Sequence, residues 1–296
     1  MQKEKKQVAL SSVFAAIFLT GFKLIIGILT GSLGILSEAL HSGLDLFAAL
    51  ITYFSVRVSD KPADIQHNFG HGKVENFSAL IETLLLLITC VWIVYEAFNR
   101  LITGSTHIEV NSWSYIVVLS SITIDFWRSR ALFNVAKKYN SHALEADAVH
   151  FSTDIWSSSV VLLGLICYKF GLFFADSLAA LGVAVIVLFI SFRLGKKSID
   201  VLLDTAPQET IDLVKLTLSE FKEVKHFHSL KIRTAGADTF VKVNVHLDPE
   251  LSLHQVHEIC DKIETEIGAR IERSEVYIHA EPQEMGHIQT EKIDGL

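Results

Sequence analysis

The sequence predicts an α-helical membrane protein: a six-helix transmembrane bundle over residues 1–205, then a C-terminal cytoplasmic ferredoxin-like α/β domain over residues 206–296 with a flexible C-terminal end. Three observations predict it. Half of the 296 residues are hydrophobic and only 20% are charged, with a mean hydropathy of +0.38. Apolar runs of spanning length are confined to the first two thirds of the chain. The charge is uneven: residues 1–200 carry 16 Lys and Arg against 15 Asp and Glu, and residues 201–296 carry 10 against 18.

A membrane-crossing helix takes about 20 mostly apolar residues. Six stretches meet that length: 8–30, 33–56, 77–98, 113–131, 146–168 and 172–194. The basic opening Met1–Gln7 is followed by a long apolar run without a small-residue cleavage site, so the first stretch reads as a retained span. Residues Phe133–Glu145 read as the connector between spans four and five. Lys and Arg in the flanks set the direction. Thirteen, from Lys3 through Arg57, Lys73, Arg128 and Lys137 to Lys197, fall on one side, against Arg100 and Lys169 on the other. Both termini are therefore expected in the cytoplasm, with the chain a multi-pass protein of the plasma or inner membrane. Lys23, inside span one, is expected to snorkel towards the headgroups.

The tail alternates its periodicities. Glu209–Phe221 has helical apolar spacing, Ser229–Thr234 and Thr239–Leu247 alternate as strands, Leu253–Ile267 is helical again, and Glu275–Ala280 alternates once more. The order α-β-β-α-β over about 80 residues predicts the ferredoxin-like sandwich.

Composition excludes other classes. No basic face remains for a nucleic acid. Cys90, Cys167 and Cys260 form no CxxC pair, which argues against a disulfide framework or a thiolate zinc knuckle. No enzyme is predicted. The His257-Glu258 pair lacks the second His of a zinc peptidase, and no phosphate-binding loop signals ATP use.

Ionisable residues within apolar spans are costly, roughly 3 kcal/mol each at mid-bilayer, and so mark function. Span two carries Glu38, His41 and Asp45; span five carries Asp147, His150 and Asp154. In both, His and Asp stand four apart, on one helix face. If the spans pack together, two imidazoles and two carboxylates converge into a closed N/O set that suits tetrahedral Zn²⁺. Glu38 and Asp147 are expected beside this site or near water. Glu82, Glu96, Asp125 and Asp176 are expected near the interfaces or facing the bundle.

Two further groups stand outside the spans. Asp64, His67 and His71 lie in a short loop whose glycines let the backbone bend round a metal. In the tail, His228, His246, His257, His279 and Glu281 fall at strand ends and on the second helix, where a binuclear zinc site is possible. His226, His254 and His287 show no such pattern.

At these residues the chain resembles the cation diffusion facilitator family, in its bacterial zinc-efflux branch. The resemblance is carried by Ser37–Asp45, Phe69–Lys73, Ala146–Asp154 and Val276–Pro282, and it covers about residues 8–283. It implies a homodimeric six-helix transporter in a lipid bilayer that exports cytoplasmic Zn²⁺ in exchange for protons. Zn²⁺ would be both cargo and a structural or regulatory ion. His41, Asp45, His150 and Asp154 would form the transport site, and Asp64, His67 and His71 a loop site. His228, His246, His257, His279 and Glu281 would form a cytoplasmic binuclear site, where the family pattern has Asp in place of Glu281. The resemblance also implies a charged hinge between Lys73 and Asp204. Efflux of Fe²⁺, Mn²⁺, Cd²⁺ or Co²⁺, or metal sensing without transport, are the alternative readings.

Overall fold

The structure, a computed structural model, describes residues 2–30, 33–103, 112–169 and 175–283. It separates into two compact units, Met1–Ile199 and Asp200–Leu296. The first holds α1 (Gln2–Thr30), α2 (Leu33–Ser59), α3 (Lys73–Thr103), α4 (Ser112–Tyr139), α5 (His142–Lys169) and most of α6 (Ala175–Leu202). Among the described residues, three of these are long and apolar enough to cross a membrane, over Lys3–Thr30, Glu38–Ser59 and Lys73–Asn99. The start of the sixth predicted span, 172–174, and the expected flexible end lie outside the described residues.

Large apolar side chains point outward from the bundle, among them Phe14, Phe18, Ile25, Leu29, Trp92 and Phe189. Much of the interior is small or polar, beside larger buried residues such as Leu86, Leu132, Leu144 and Phe151. Ala9, Ala48, Ala49, Ala143, Ala146 and Ala148 are all fully buried. Small residues let helices approach closely where lipid supplies no hydrophobic drive between them. Hydroxyls and charges fill the rest. Lys5 pairs with Glu75, which also accepts from the hydroxyls of Ser59 and Ser141. Thr52 donates to Glu82, and Ser12 donates to Asp147 at 2.9 Å.

The connector Phe133–Glu145 is itself largely helical: α4 runs on to Tyr139 and α5 begins at His142. The helix continues because Leu132, Val135 and Ala136 keep facing Ala143, Leu144 and Ala148. The reversal is made at Asn140, whose positive φ of 48° is a conformation Asn tolerates better than most residues. Arg128 is not a flanking cation. It is buried in the bundle, donating from Nε to Ser12 Oγ at 2.7 Å, standing 3.9 Å from Asp125 and lying over the Phe151 ring at 3.3 Å. With Arg128 removed, the cations of that side still greatly outnumber those of the other.

The second unit contains α7 (Gln208–Glu220), β1 (His226–Ala235), β2 (Asp238–Leu247), α8 (Leu253–Arg270) and β3 (Ser274–Pro282). The sheet order is β1-β2-β3, with β1–β2 antiparallel through a tight turn at Gly236 (φ 63°) and β2–β3 parallel. A parallel neighbour needs a crossover, which α8 provides. Val241, Val243 and Val245 of β2 pack with Val214 and Leu218 of α7 and Ile259, Ile263 and Ile267 of α8. One face of the sheet is thus covered by both helices, as in a ferredoxin-like sandwich. Ser252 and Gln255 close the α8 N-terminus with a capping box.

Candidate metal centres

In the bundle, α2 sets His41 and Asp45 one turn apart, and α5 does the same for His150 and Asp154. The two helices bring these pairs against each other. His150 Nε2 stands 3.1 Å from Asp45 Oδ1, and His41 Nε2 stands 3.7 Å from Asp154 Oδ1. Within each helix the separations are 4.0 Å for His41–Asp45 and 3.7 Å for His150–Asp154. Each imidazole therefore lies between both carboxylates. Tetrahedral bonds of about 2.0–2.1 Å place neighbouring donors about 3.3 Å apart, against observed separations of 3.1 to 4.0 Å; His41, Asp45 and Asp154 present donor atoms that all lie within 4.8 Å of one another. Asp45, His150 and Asp154 are buried, and Asp154 Oδ2 has no hydrogen-bond partner among the described residues. A buried carboxylate oxygen without a partner is costly unless a cation meets it.

Glu38 and Asp147 stand beside this set. Glu38 accepts from Lys23 Nζ at 3.2 Å, and Asp147 is fully buried against Ser12. Lys23 does not snorkel. It is 4% exposed, and its ammonium is held inside the bundle by Ser42 Oγ at 2.8 Å. Glu82 and Asp125 face the bundle interior.

The loop group lies between α2 and α3. Asp64 Oδ1 accepts from the backbone N–H groups of Gln66 and His67, at 2.9 and 2.6 Å, and so ties the turn. It also meets His67 Nδ1 at 3.1 Å, while Oδ2 lies 3.4 Å from His71 Nε2. Gly70, at φ 75°, bends the chain between the two histidines. The His67 N–H bonds hold the Asp64 carboxyl below its ordinary range. Lys73 opens α3 and Asp204 follows α6 with φ 60°.

The tail group follows from strand register. His226 pairs with His246 and His246 with Glu281; one step along, His228 pairs with Asn244 and Asn244 with His279. Residues two apart share a face, so two polar rows cross the sheet on the face away from the helices. Glu281 sits at their centre. Its Oε2 is 3.1 Å from His228 Nε2 and 3.4 Å from His246 Nε2; its Oε1 accepts from Asn244 at 2.8 Å and lies 3.6 Å from His279 Nε2. The His228 contact, with the Asn244 bond behind it, lowers the Glu281 carboxyl below its ordinary range.

Two residues depart from the expected set. His257 is not brought to this face. It lies on exposed α8, 3.5 Å from Asp261, and α8 packs against the opposite face. His226, which sequence reasoning left out, does join: its ring centroid lies 5.8 Å from that of His246 and 6.2 Å from that of His228. The alternation His226-Phe227-His228 carried that signal, once β1 is taken to begin at His226. In the bundle, sequence reasoning also missed Lys23 as a buried neighbour of the site.

A bundle of apolar-faced helices with a buried N/O cluster, joined to a small α/β tail with a His face, defines a multi-pass membrane carrier of cations. Comparison with known proteins agrees. The family model described as the cation efflux transmembrane domain matches residues 9–203, and that of the cation efflux protein, cytoplasmic domain, matches residues 206–283. The chain belongs to the cation diffusion facilitator family. Its relatives in that family are transporters, not enzymes.

An uncharacterized transporter of Synechocystis sp. is 32% identical over 279 residues, covering 93% of this chain and 90% of its own. The cation-efflux pump FieF of Cronobacter sakazakii is 30% identical over 281 residues, covering 93% and 91%. A solved structure, the metal-bound C-terminal domain of the CzcD transporter from Thermotoga maritima, is 29% identical. It covers 27% of this chain and 93% of its own, with a TM-score of 0.25.

Proposed function

We propose that this cation efflux transporter exports Zn²⁺ from the cytoplasm in exchange for protons, by alternating access of the His41–Asp45–His150–Asp154 site. The observation that carries the reading is the cross-helix pairing of His150 with Asp45 and His41 with Asp154. Two imidazoles and two carboxylates favour Zn²⁺ over the hard, all-oxygen cations. Binding must displace protons from these groups, so metal affinity falls as pH falls. Protons reaching the site from outside then help to release the ion, and the gradient sets direction.

The remaining assignments follow from this reading. Spans 113–131, 146–168 and 172–194 complete six crossings, with both termini in the cytoplasm of the plasma or inner membrane. The domain boundary falls at about residue 205. Asp64, His67 and His71 form a loop metal site. His228, His246, His279 and Glu281 form a cytoplasmic site that senses metal and tightens a homodimer when loaded, and His257 stands outside it in one chain. Lys73 and Asp204 act as the charged hinge. Imidazole also suits Fe²⁺, and one relative is named a cation-efflux pump FieF, so Fe²⁺ is the second reading of the cargo.

The experiment is zinc-driven proton flux in liposomes holding the full chain. It is expected to vanish in His41→Ala and in Asp154→Ala, and intact flux in both discards the site. Competition among Zn²⁺, Fe²⁺, Mn²⁺, Cd²⁺ and Co²⁺ in the same vesicles ranks the cargo. Counterflow of labelled Zn²⁺ separates a carrier from a sensor that only binds.

A further inference from the structure

A polar cavity of about 30 Å³ adjoins the four-ligand cluster, room for one or two waters on the usual scale. Lys23, Glu38 and Asp125 line it together with His41, Asp45 and Asp154. Among the described lining residues Lys23 is the one permanent cation, set against four carboxylates. Its ammonium is held by Ser42 Oγ and Glu38 Oε2, and Ser42 adjoins His41 in the chain. Glu38 is the most exposed of these carboxylates, its side chain 43% exposed.

We propose that Lys23 is an internal substitute for the transported cation: it neutralises the carboxylates of the emptied site and opposes the ion in the loaded one. This rests on the transport-site reading above. The physical reason is differential. As the ion leaves and before protons have replaced it, Asp45 and Asp154 stand charged in a poorly solvated interior, where uncompensated charge is costly. A nearby ammonium on a flexible four-carbon stem lowers the energy of that state. It raises the energy of the loaded state by repulsion. Both effects weaken binding and favour release, which a carrier needs as much as capture. A residue that only ties α1 to α2 through Glu38 would do neither.

The test uses the full chain in liposomes, reading KM and kcat for Zn²⁺ uptake, with equilibrium Zn²⁺ binding measured beside them because KM alone need not equal Kd. Lys23→Met is expected to bind Zn²⁺ at least about tenfold more tightly, with KM and kcat both falling as release slows. Lys23→Arg keeps the charge and moves both less. Glu38→Gln leaves the ammonium without its anionic partner and raises KM. The opposite signs for Lys23→Met and Glu38→Gln are the diagnostic result. A tie between α1 and α2 would move both variants the same way, and that result overturns the proposal. So does a Lys23→Met protein that binds no more tightly than wild type. If Lys23→Met does not fold, Lys23→Gln carries the same expectation. Asp154→Ala run alongside separates the two claims: flux surviving there sinks the transport site itself, whereas loss there with an unshifted Lys23→Met sinks only the role of Lys23.

Discussion

Glu281 reaches two histidines through one carboxylate oxygen and meets Asn244 and His279 through the other. The extra methylene relative to Asp places its head between the two rows of the sheet. Because its folded pKa is depressed, its contribution to stability is present above the unfolded value, about 4.3, and is lost as pH falls through the lower folded value. Thermal unfolding of the metal-free protein is expected to show Glu281→Gln less stable than wild type at neutral pH, with the gap closing only in that acidic window. Asp64 has a double task, tying the turn and facing both loop histidines. Asp64→Asn can keep both backbone bonds on its amide oxygen but loses the anion, so zinc binding in the loop is expected to weaken. Asp64→Ala removes both and is expected to weaken it further, as read by calorimetric titration in a background lacking the tail histidines.

The helices of the tail pack behind the sheet face that carries His228, His246 and Glu281. Ser252→Ala, which opens the capping box of α8, is expected to cost about 1 kcal/mol in urea unfolding of that unit. Ile263→Ala, at the centre of the core, is expected to cost about 2–5 kcal/mol. Both predict looser metal binding only through lost folding. The elements were legible because each has a clean period: the tail strands alternate, and the spans are long apolar runs. What stayed hidden depended on packing across elements. Arg128 reads as a flank cation in sequence, because nothing local reveals Asp125, Ser12 and Phe151 around it. Lys23 reads as a snorkelling residue for the same reason. His257 has a ligand's composition on a helix whose packing face turns it away, and His226 was lost with the first three residues of β1.

At the scale of the whole molecule, the bundle unit exposes large apolar side chains and buries ionisable groups, whereas the tail unit keeps an ordinary apolar core. Such groups persist in a bundle only when they pair or serve function. The HxxxD repeat on α2 and α5 was visible in sequence because a four-residue spacing fixes one helix face. That the faces meet is a fact of three dimensions. The central claim is that they meet around one cation. It is tested most directly by zinc K-edge absorption and binding stoichiometry on full-length protein in which Asp64, His67, His71, His228, His246 and Glu281 are replaced by Ala. One Zn²⁺ per chain, four-coordinate with N and O donors at about 2.0–2.1 Å and lost on adding Asp154→Ala, is the expected result. No bound zinc in that background, or a zinc shell that survives Asp154→Ala, contradicts it.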